Sequence, residues 1–154
     1  ISISPVLDPD KATDRIDGNP FLLAYFMKKL KQSLRHKETI FPDLYDFTDI
    51  LNLKTIREMT DLLLDRFSDY PGTKTYFRSY GIYGDDLAGI QIPAAIITAA
   101  DDPVIPVEDF HDLKPAPSTD LFIHSKGGHN GFVDSVLGPA WYDRFMLRKF
   151  EAYE

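Results

Sequence analysis

Cysteine is missing from all 154 residues, which excludes a disulfide framework, a thiolate nucleophile and a zinc–thiolate site. Its absence fits a reducing compartment, and a cytoplasmic setting is the corresponding expectation. Positive charge is also scarce. The 17 Lys and Arg face 24 Asp and Glu, for a formal net charge of −7. That field repels a phosphate backbone, so nucleic acid is not an expected partner. The basic stretch "KKLKQSLRHK" at 28–37 reads as the wet face of a helix rather than an anionic-lipid patch. Long apolar runs are lacking too, and none approaches the roughly 20 residues that a membrane-spanning helix needs. There is no internal repeat and no low-complexity segment.

What is present is the composition of a folded domain of ordinary size, with 44% hydrophobic and 27% charged residues. "ISISPVL" (1–7) alternates apolar and small residues and reads as the end of a strand, stopped by "DPD". The chain opens with Ile inside this apolar run, and the expectation is a piece of a longer polypeptide. "DPDKATDRID" is polar, with room for a helical turn. "NPFLLAYFMKKLKQSLRHK" predicts a helix capped by Asn19 with Pro20 in its first turn, and Leu22, Phe26, Leu30 and Leu34 along one face. "IFPDLYDFTDILNL" reads as irregular. "KTIREMTDLLLDRF" predicts a second helix with Ile56, Met59, Leu63 and Phe67 on a stripe, and a shorter one falls near 73–79.

The texture changes at Pro93. "AAIITAA" (94–100) and "TDLFIHS" (119–125) predict buried strands, "PVEDFHDL" a short helix, and "GPAWYDRFMLRKFEAYE" a closing amphipathic helix with Trp141, Phe145 and Met146 inward. Strand, helix, strand, loop, helix implies parallel strands with crossover connections, hence an α/β fold. The expected organisation is a core strand at 1–9, a helical block at 10–92 and an α/β unit at 93–154.

In open parallel sheets, functional groups gather beyond the carboxyl ends of the strands. Two loops here lie in that place, "ADDPVIP" (100–106) and "SKGGHNGF" (125–132). The first holds two acids, Asp101 and Asp102. The second holds His129 among Gly127, Gly128 and Gly131, which let the loop turn tightly. A carboxylate behind an imidazole fixes its tautomer and stabilises the imidazolium it forms on taking a proton. An acid and a histidine so arranged read as an acid–base pair, with either Asp as the candidate acid.

"IPAAIITAADDPVIP" followed by "TDLFIHSKGGHNGF" resembles the last two motif strands of the α/β-hydrolase fold, close to its YheT-type, abhydrolase-domain branch. "SISPVLDPDKATDRID", "TIREMTD" and "KTYFRSYG" extend the resemblance over nearly the whole chain. The resemblance implies Asp102, directly before the Pro of the DP dipeptide, as the acid and His129 as the general base. It implies a Ser-His-Asp triad whose order is Ser, acid, His, with Ser in a G-x-S-x-G elbow. No serine here has that setting: Ser79 in "FRSYG" and Ser125 in "IHSKG" each lack the upstream glycine. The chain therefore resembles the C-terminal portion of such an enzyme, with 10–92 as the inserted helical cap. The nucleophile half of the same protein is the implied partner, and a small apolar carboxylic ester the implied substrate. No cofactor or metal is implied, and the chain alone is expected to be inactive.

The competing readings are plainer. His124 reads as packed at the sheet edge, and His36 as a solvated helix residue. Asp101, Glu108, His111 and Asp112 could suggest a hard metal site, but a charged helix start accounts for the same letters. Arg57 and Glu58 could orient the cap through a salt bridge. The aromatics from Tyr25 to Tyr83 read as core or as the lining of an acyl pocket. In a different class, the chain is a non-catalytic module that binds a partner, or forms a homo-oligomer, through its open sheet edge.

Overall fold

A computed structural model describes residues 1–133, 138 and 140–151. In chain order the elements are β1 (Ser2–Ile3), α1 (Pro9–Asp17), α2 (Pro20–Ile40), α3 (Thr48–Asn52), α4 (Ile56–Phe67) and α5 (Thr73–Tyr80). Then follow β2 (Ala94–Ala99), α6 (Glu108–His111), β3 (Thr119–His124) and α7 (Trp141–Glu151). They form two compact units, residues 1–7 with 82–154, and residues 8–81. The boundaries fall nearer the helices than the change of texture at Pro93 indicates. The connection 82–92 is hydrogen-bonded into the first unit: Ile82 N–H donates to Leu7 O (2.8 Å), Lys114 N–H to Gly84 O (2.6 Å) and Ala116 N–H to Leu87 O (3.2 Å).

The first unit is built on a parallel sheet in the order β1-β2-β3. Ser2 and Ile3 pair with Ile96 and Ile97, while Ala94 through Ala99 pair with Thr119 through His124. The fold class is thus α/β, with parallel strands and connecting helices. β2 is central and almost wholly buried, which is why it reads as a continuous small and β-branched run rather than an alternation. Ala95, Ile97 and Ala99 join Phe132 of the following loop and Phe145 of α7 in one buried cluster, with Ile3, Phe122, Trp141 and Tyr142 packed against it. Trp141 stacks on Phe145 (5.0 Å, 22°), so α7 lies down on the sheet through its aromatic stripe. Of the closing stretch 138–154, residues 139 and 152–154 lie outside the described residues.

The second unit is helical. Each long helix starts with a side-chain cap, because the first backbone N–H groups of a helix have no partner within it. Asp8 caps α1 and Asn19 caps α2, each followed by Pro. Thr55 and Glu58 form a reciprocal capping box on α4. Asp17, at the end of α1, accepts the next two amides of α4, Ile56 N–H (2.8 Å) and Arg57 N–H (3.0 Å). Arg57 then reaches back along α1 to Asp10 (2.8 Å) and Asp14 (2.6 Å). Burial by itself would lower the Arg57 pKa; the Asp14 and Asp10 carboxylates outweigh it and hold the guanidinium above its ordinary value. "DPDKATDRID" is therefore a full helix, not a turn, and the salt bridge runs from Arg57 to it.

The core of this unit gathers Met27, Leu34, Phe47, Ile50 and Met59. On α2 the packed residues are Leu23, Met27, Leu30 and Leu34, where the sequence predicts Leu22 and Phe26. A strict four-residue repeat advances about 40° beyond full turns at each step, so the buried stripe must alternate steps of four and three. On α4, Leu64 is buried while Phe67 stays 45% exposed, its ring against Tyr45 (5.4 Å) and Phe47 (5.7 Å). "FTDILNL", read as irregular, forms α3, which delivers the fully buried Ile50 to this core.

The helical unit should lose more from its core than from its charged bolt. Met59→Ala should cost about 2–5 kcal/mol, and Arg57→Ala, at a half-exposed site, about 1–2 kcal/mol. Urea unfolding of the two variants checks the order, and Arg57→Lys should recover only part of the loss because a lysine cannot span both carboxylates.

Candidate functional site

The chain turns sharply at the carboxyl end of β2. Ala100 N–H donates to His124 O (2.7 Å), and Asp102 N–H to Ala99 O (3.2 Å), so the two acids emerge from a tight, sheet-anchored bend. Their side chains part company there. Asp102 is 3% exposed. A carboxylate so deeply buried must be hydrogen-bonded at both oxygens. Its Oδ1 accepts Val104 N–H (2.8 Å) and Ile105 N–H (2.9 Å), and its Oδ2 lies 3.0 Å from His129 Nδ1. The two amides fix the plane of the carboxyl group, and that plane fixes where the imidazole must sit.

Asp101 remains at the surface, and its Oδ1 accepts Gly127 N–H and Gly128 N–H, both at 2.8 Å. The Gly128 amide is the main reason its pKa lies below the ordinary 3.8; burial opposes the shift, and the Gly127 amide and the Lys126 charge add to it. Of the two candidate acids, then, Asp102 reaches the ring and Asp101 reaches the backbone of the loop that carries the ring.

That loop is compact because of what its glycines permit. A Cβ on Gly127 would stand 2.6 Å from the Phe132 ring and 2.9 Å from Ala99 Cβ, both in the buried cluster under the loop. Gly128 has φ +56°, in the left-handed region. Gly127 O accepts both Gly131 N–H (3.2 Å) and Phe132 N–H (2.8 Å), closing the turn beneath His129. Among the described residues the non-glycine positions with positive φ are Ser4 (44°), Asn130 (63°) and Phe132 (45°). All three belong to this corner, since Asn130 N–H donates to the buried Ser4 Oγ (3.4 Å). Sparsely populated backbone of this kind persists only where the surroundings hold it, and it collects at functional sites. Nothing in the sequence marks Ser4. A serine before Pro5 gives no sign of left-handed backbone, because a residue preceding proline ordinarily stays extended.

The side-chain half of His129 is 30% exposed while the Asp102 side chain is fully buried. With Nδ1 turned to the carboxylate, Nε2 is the nitrogen left for a proton on the solvent side. This arrangement orients an imidazole, selects its tautomer and stabilises the imidazolium, the properties of a general base. His124 instead packs edge-on against Trp141 (4.2 Å) and Phe132 (5.7 Å), and His36 lies exposed on α2. Ser79 Oγ donates to Tyr76 O (2.7 Å) within α5 and is not on a strand-to-helix elbow. Among the described residues no three His, Asp or Glu side chains converge on a point where they could hold a metal ion, those of 101–112 included. In the helical unit, a cavity of about 320 Å³ is lined by Leu30, Ile56, Leu63, Tyr76, Phe77 and Tyr80 with other side chains. No helix among the described residues is long and apolar enough to cross a membrane.

Comparison with known proteins adds two distant relatives. A Saccharomyces cerevisiae protein named monoacylglycerol lipase is 25% identical over 161 residues, which covers 96% of this chain and 35% of the relative. A Dictyostelium discoideum protein named abhydrolase domain-containing protein is 27% identical over 106 residues, covering 68% of this chain and 27% of the relative. The chain thus spans about a third of the length of the curated relatives it matches. No family model matches the chain, and no solved structure does. The two names point to the α/β-hydrolase superfamily and to a hydrolase-like role at the level of that family.

Because Gly127 has no room for a side chain, Gly127→Ala should destabilise the sheet unit by about 1–3 kcal/mol through overpacking against Phe132. The corner should also respond to acid in a defined direction. The folded-state pKa of Asp101 is lowered, so its contribution is complete above 3.8 and is lost as pH falls through the lowered value. In the Gly127 and Gly128 amide shifts followed against pH, the step that Asp101→Asn abolishes should therefore lie below about pH 4.

Proposed function

We propose that this chain carries the acid and base of a serine hydrolase acting on carboxylic esters, of the YheT-type, abhydrolase-domain branch. The reading rests above all on the 3.0 Å contact between His129 Nδ1 and the buried, amide-fixed carboxylate of Asp102. His129 is the general base and Asp102 the acid that orients it. The nucleophilic serine is supplied by residues outside these 154, from an N-terminal half of the same polypeptide. The contrast in length between this chain and its relatives agrees with that division.

In the complete site the chemistry is acyl transfer in two steps. His129 Nε2 takes the serine hydroxyl proton as the serine oxygen bonds to the ester carbonyl carbon. The resulting imidazolium is stabilised by Asp102 and returns the proton to the departing alkoxide as the ester C–O bond breaks. Water then gives a proton to the same Nε2 as its oxygen bonds to the acyl carbon, and the imidazolium returns that proton to the serine oxygen as the acyl–serine C–O bond breaks and the acid leaves. Every proton moves through one nitrogen, so no external acid or metal is needed for balance. The yeast relative's name is that of an acylglycerol lipase. A small apolar acyl ester is accordingly the favoured substrate, with residues 8–81 as the inserted cap and a cytoplasmic setting.

A second reading draws on the sheet itself. β1 and β3 are the outer strands, and β1 contributes only Ser2 and Ile3. A short, open parallel sheet offers an edge for a partner strand or a second copy without any chemistry.

Two measurements decide between the readings. Hydrolysis of short p-nitrophenyl esters by the polypeptide containing the serine half should fall on the order of 10³–10⁴-fold in His129→Ala and Asp102→Ala, chiefly in kcat. Unchanged turnover in either variant would remove the assignment. The present chain alone should show no ester turnover, because on this reading the nucleophile and the donors for the oxyanion belong to the other half. The partner-binding reading, in contrast, predicts that association survives both substitutions.

A further inference from the structure

Asp101 is an exposed carboxylate with no place in the acid–base pair, yet it is the more tightly coordinated to the histidine loop. One of its oxygens receives two successive amides, Gly127 N–H and Gly128 N–H, each at 2.8 Å. Consecutive backbone N–H groups, with the second residue left-handed at φ +56°, form a concave anion-binding turn. Here the anion is supplied by the neighbouring strand end. Gly127 is held from its other side as well, because its carbonyl accepts Gly131 N–H and Phe132 N–H. His129 directly follows the clamped pair.

Position matters at this point more than strength. The contact between His129 Nδ1 and Asp102 Oδ2 is already 3.0 Å. A rotation of the Gly128 peptide that carried the ring by about 1 Å would take it beyond hydrogen-bonding range. The nearby Lys126 charge, acting through solvent, adds little stability, so fixing the loop is what two short amide bonds achieve.

We propose that Asp101 is a positioning residue: from the end of β2 it clamps the Gly127–Gly128 backbone and so holds the His129 imidazole against Asp102. Adjacent acids divide one task, with Asp101 setting the loop and Asp102 setting the ring. The proposal rests on His129 acting as the base, and its test is independent of ester turnover.

The measurement is nuclear magnetic resonance of the 154-residue chain, wild type against Asp101→Ala and Asp101→Asn. In Asp101→Ala, exchange of the Gly127 and Gly128 amides should rise about tenfold or more, and the ring nitrogens of neutral His129 should shift from one tautomer to a mixture. Asp101→Asn keeps an acceptor oxygen at the same reach, so it should retain most of the single-tautomer pattern. The amides pairing β2 with β3 serve as the control and should stay protected. A His129 ring pattern unchanged in Asp101→Ala, with that ladder intact, would overturn the proposal. Should the alanine variant fail to fold, Asp101→Ser decides, because its shorter side chain cannot reach both amides: a mixed His129 tautomer supports the clamp, and an unchanged ring pattern refutes it. In the serine-bearing polypeptide the same alanine substitution should lower kcat about tenfold with KM unaltered. If no ester is turned over there at all, the hydrolase reading fails while the ring-nitrogen result still judges the clamp.

Discussion

A carboxylate taken out of water has to be met by hydrogen bonds on every side, and the corner of the sheet is organised by that requirement at Asp102. Two amides of its own turn take one oxygen, and the other faces the histidine loop. The imidazole of His129 meets it there. An aspartate one residue earlier, at the surface, is free of this constraint and can serve the backbone instead. Burial, rather than residue type, separates the roles of two identical neighbouring side chains.

The histidine loop is shaped by packing from below and by hydrogen bonds from the side. Phe132 is drawn into the buried cluster with Ala95, Ile97 and Ala99. Its ring occupies the space where any residue larger than glycine at 127 would place a side chain. The left-handed backbone at Asn130 and Phe132 is the local cost of a turn this close to the sheet. Burial of Phe132 and the paired acceptance by Gly127 O offset it. Ser4, itself left-handed, meets the same loop from the end of β1, so two strand ends and one loop are fixed together.

The helical unit obeys a simpler logic. Its helices are started by side chains adjacent in sequence and fastened by one long side chain from α4, with Arg57 on Asp10 and Asp14 and Asp17 on the first amides of α4. The stretches "DPDKATDRID" and "TIREMTD", far apart in the chain, are thereby one structural feature. Its core of Met27, Leu34, Phe47, Ile50 and Met59 is its own.

Local signals in the sequence were sufficient for the strands at 94–99 and 119–124, the Asn19–Pro20 helix start and the two loops bearing Asp102 and His129. Each depends on neighbours a few residues away: caps, glycine and proline punctuation, and runs of β-branched residues. The α2 core face, the helix in "FTDILNL" and the left-handed Ser4 were not legible, because each is imposed by residues distant in the chain. Letters and spacing to His129 left the two adjacent aspartates open, and only the resemblance implied Asp102. Which carboxyl group meets the ring was decided by the tertiary structure. The β2 turn buries one carboxyl group and leaves the next at the surface, and hydrogen bonding in a low-dielectric corner then assigns each its partner.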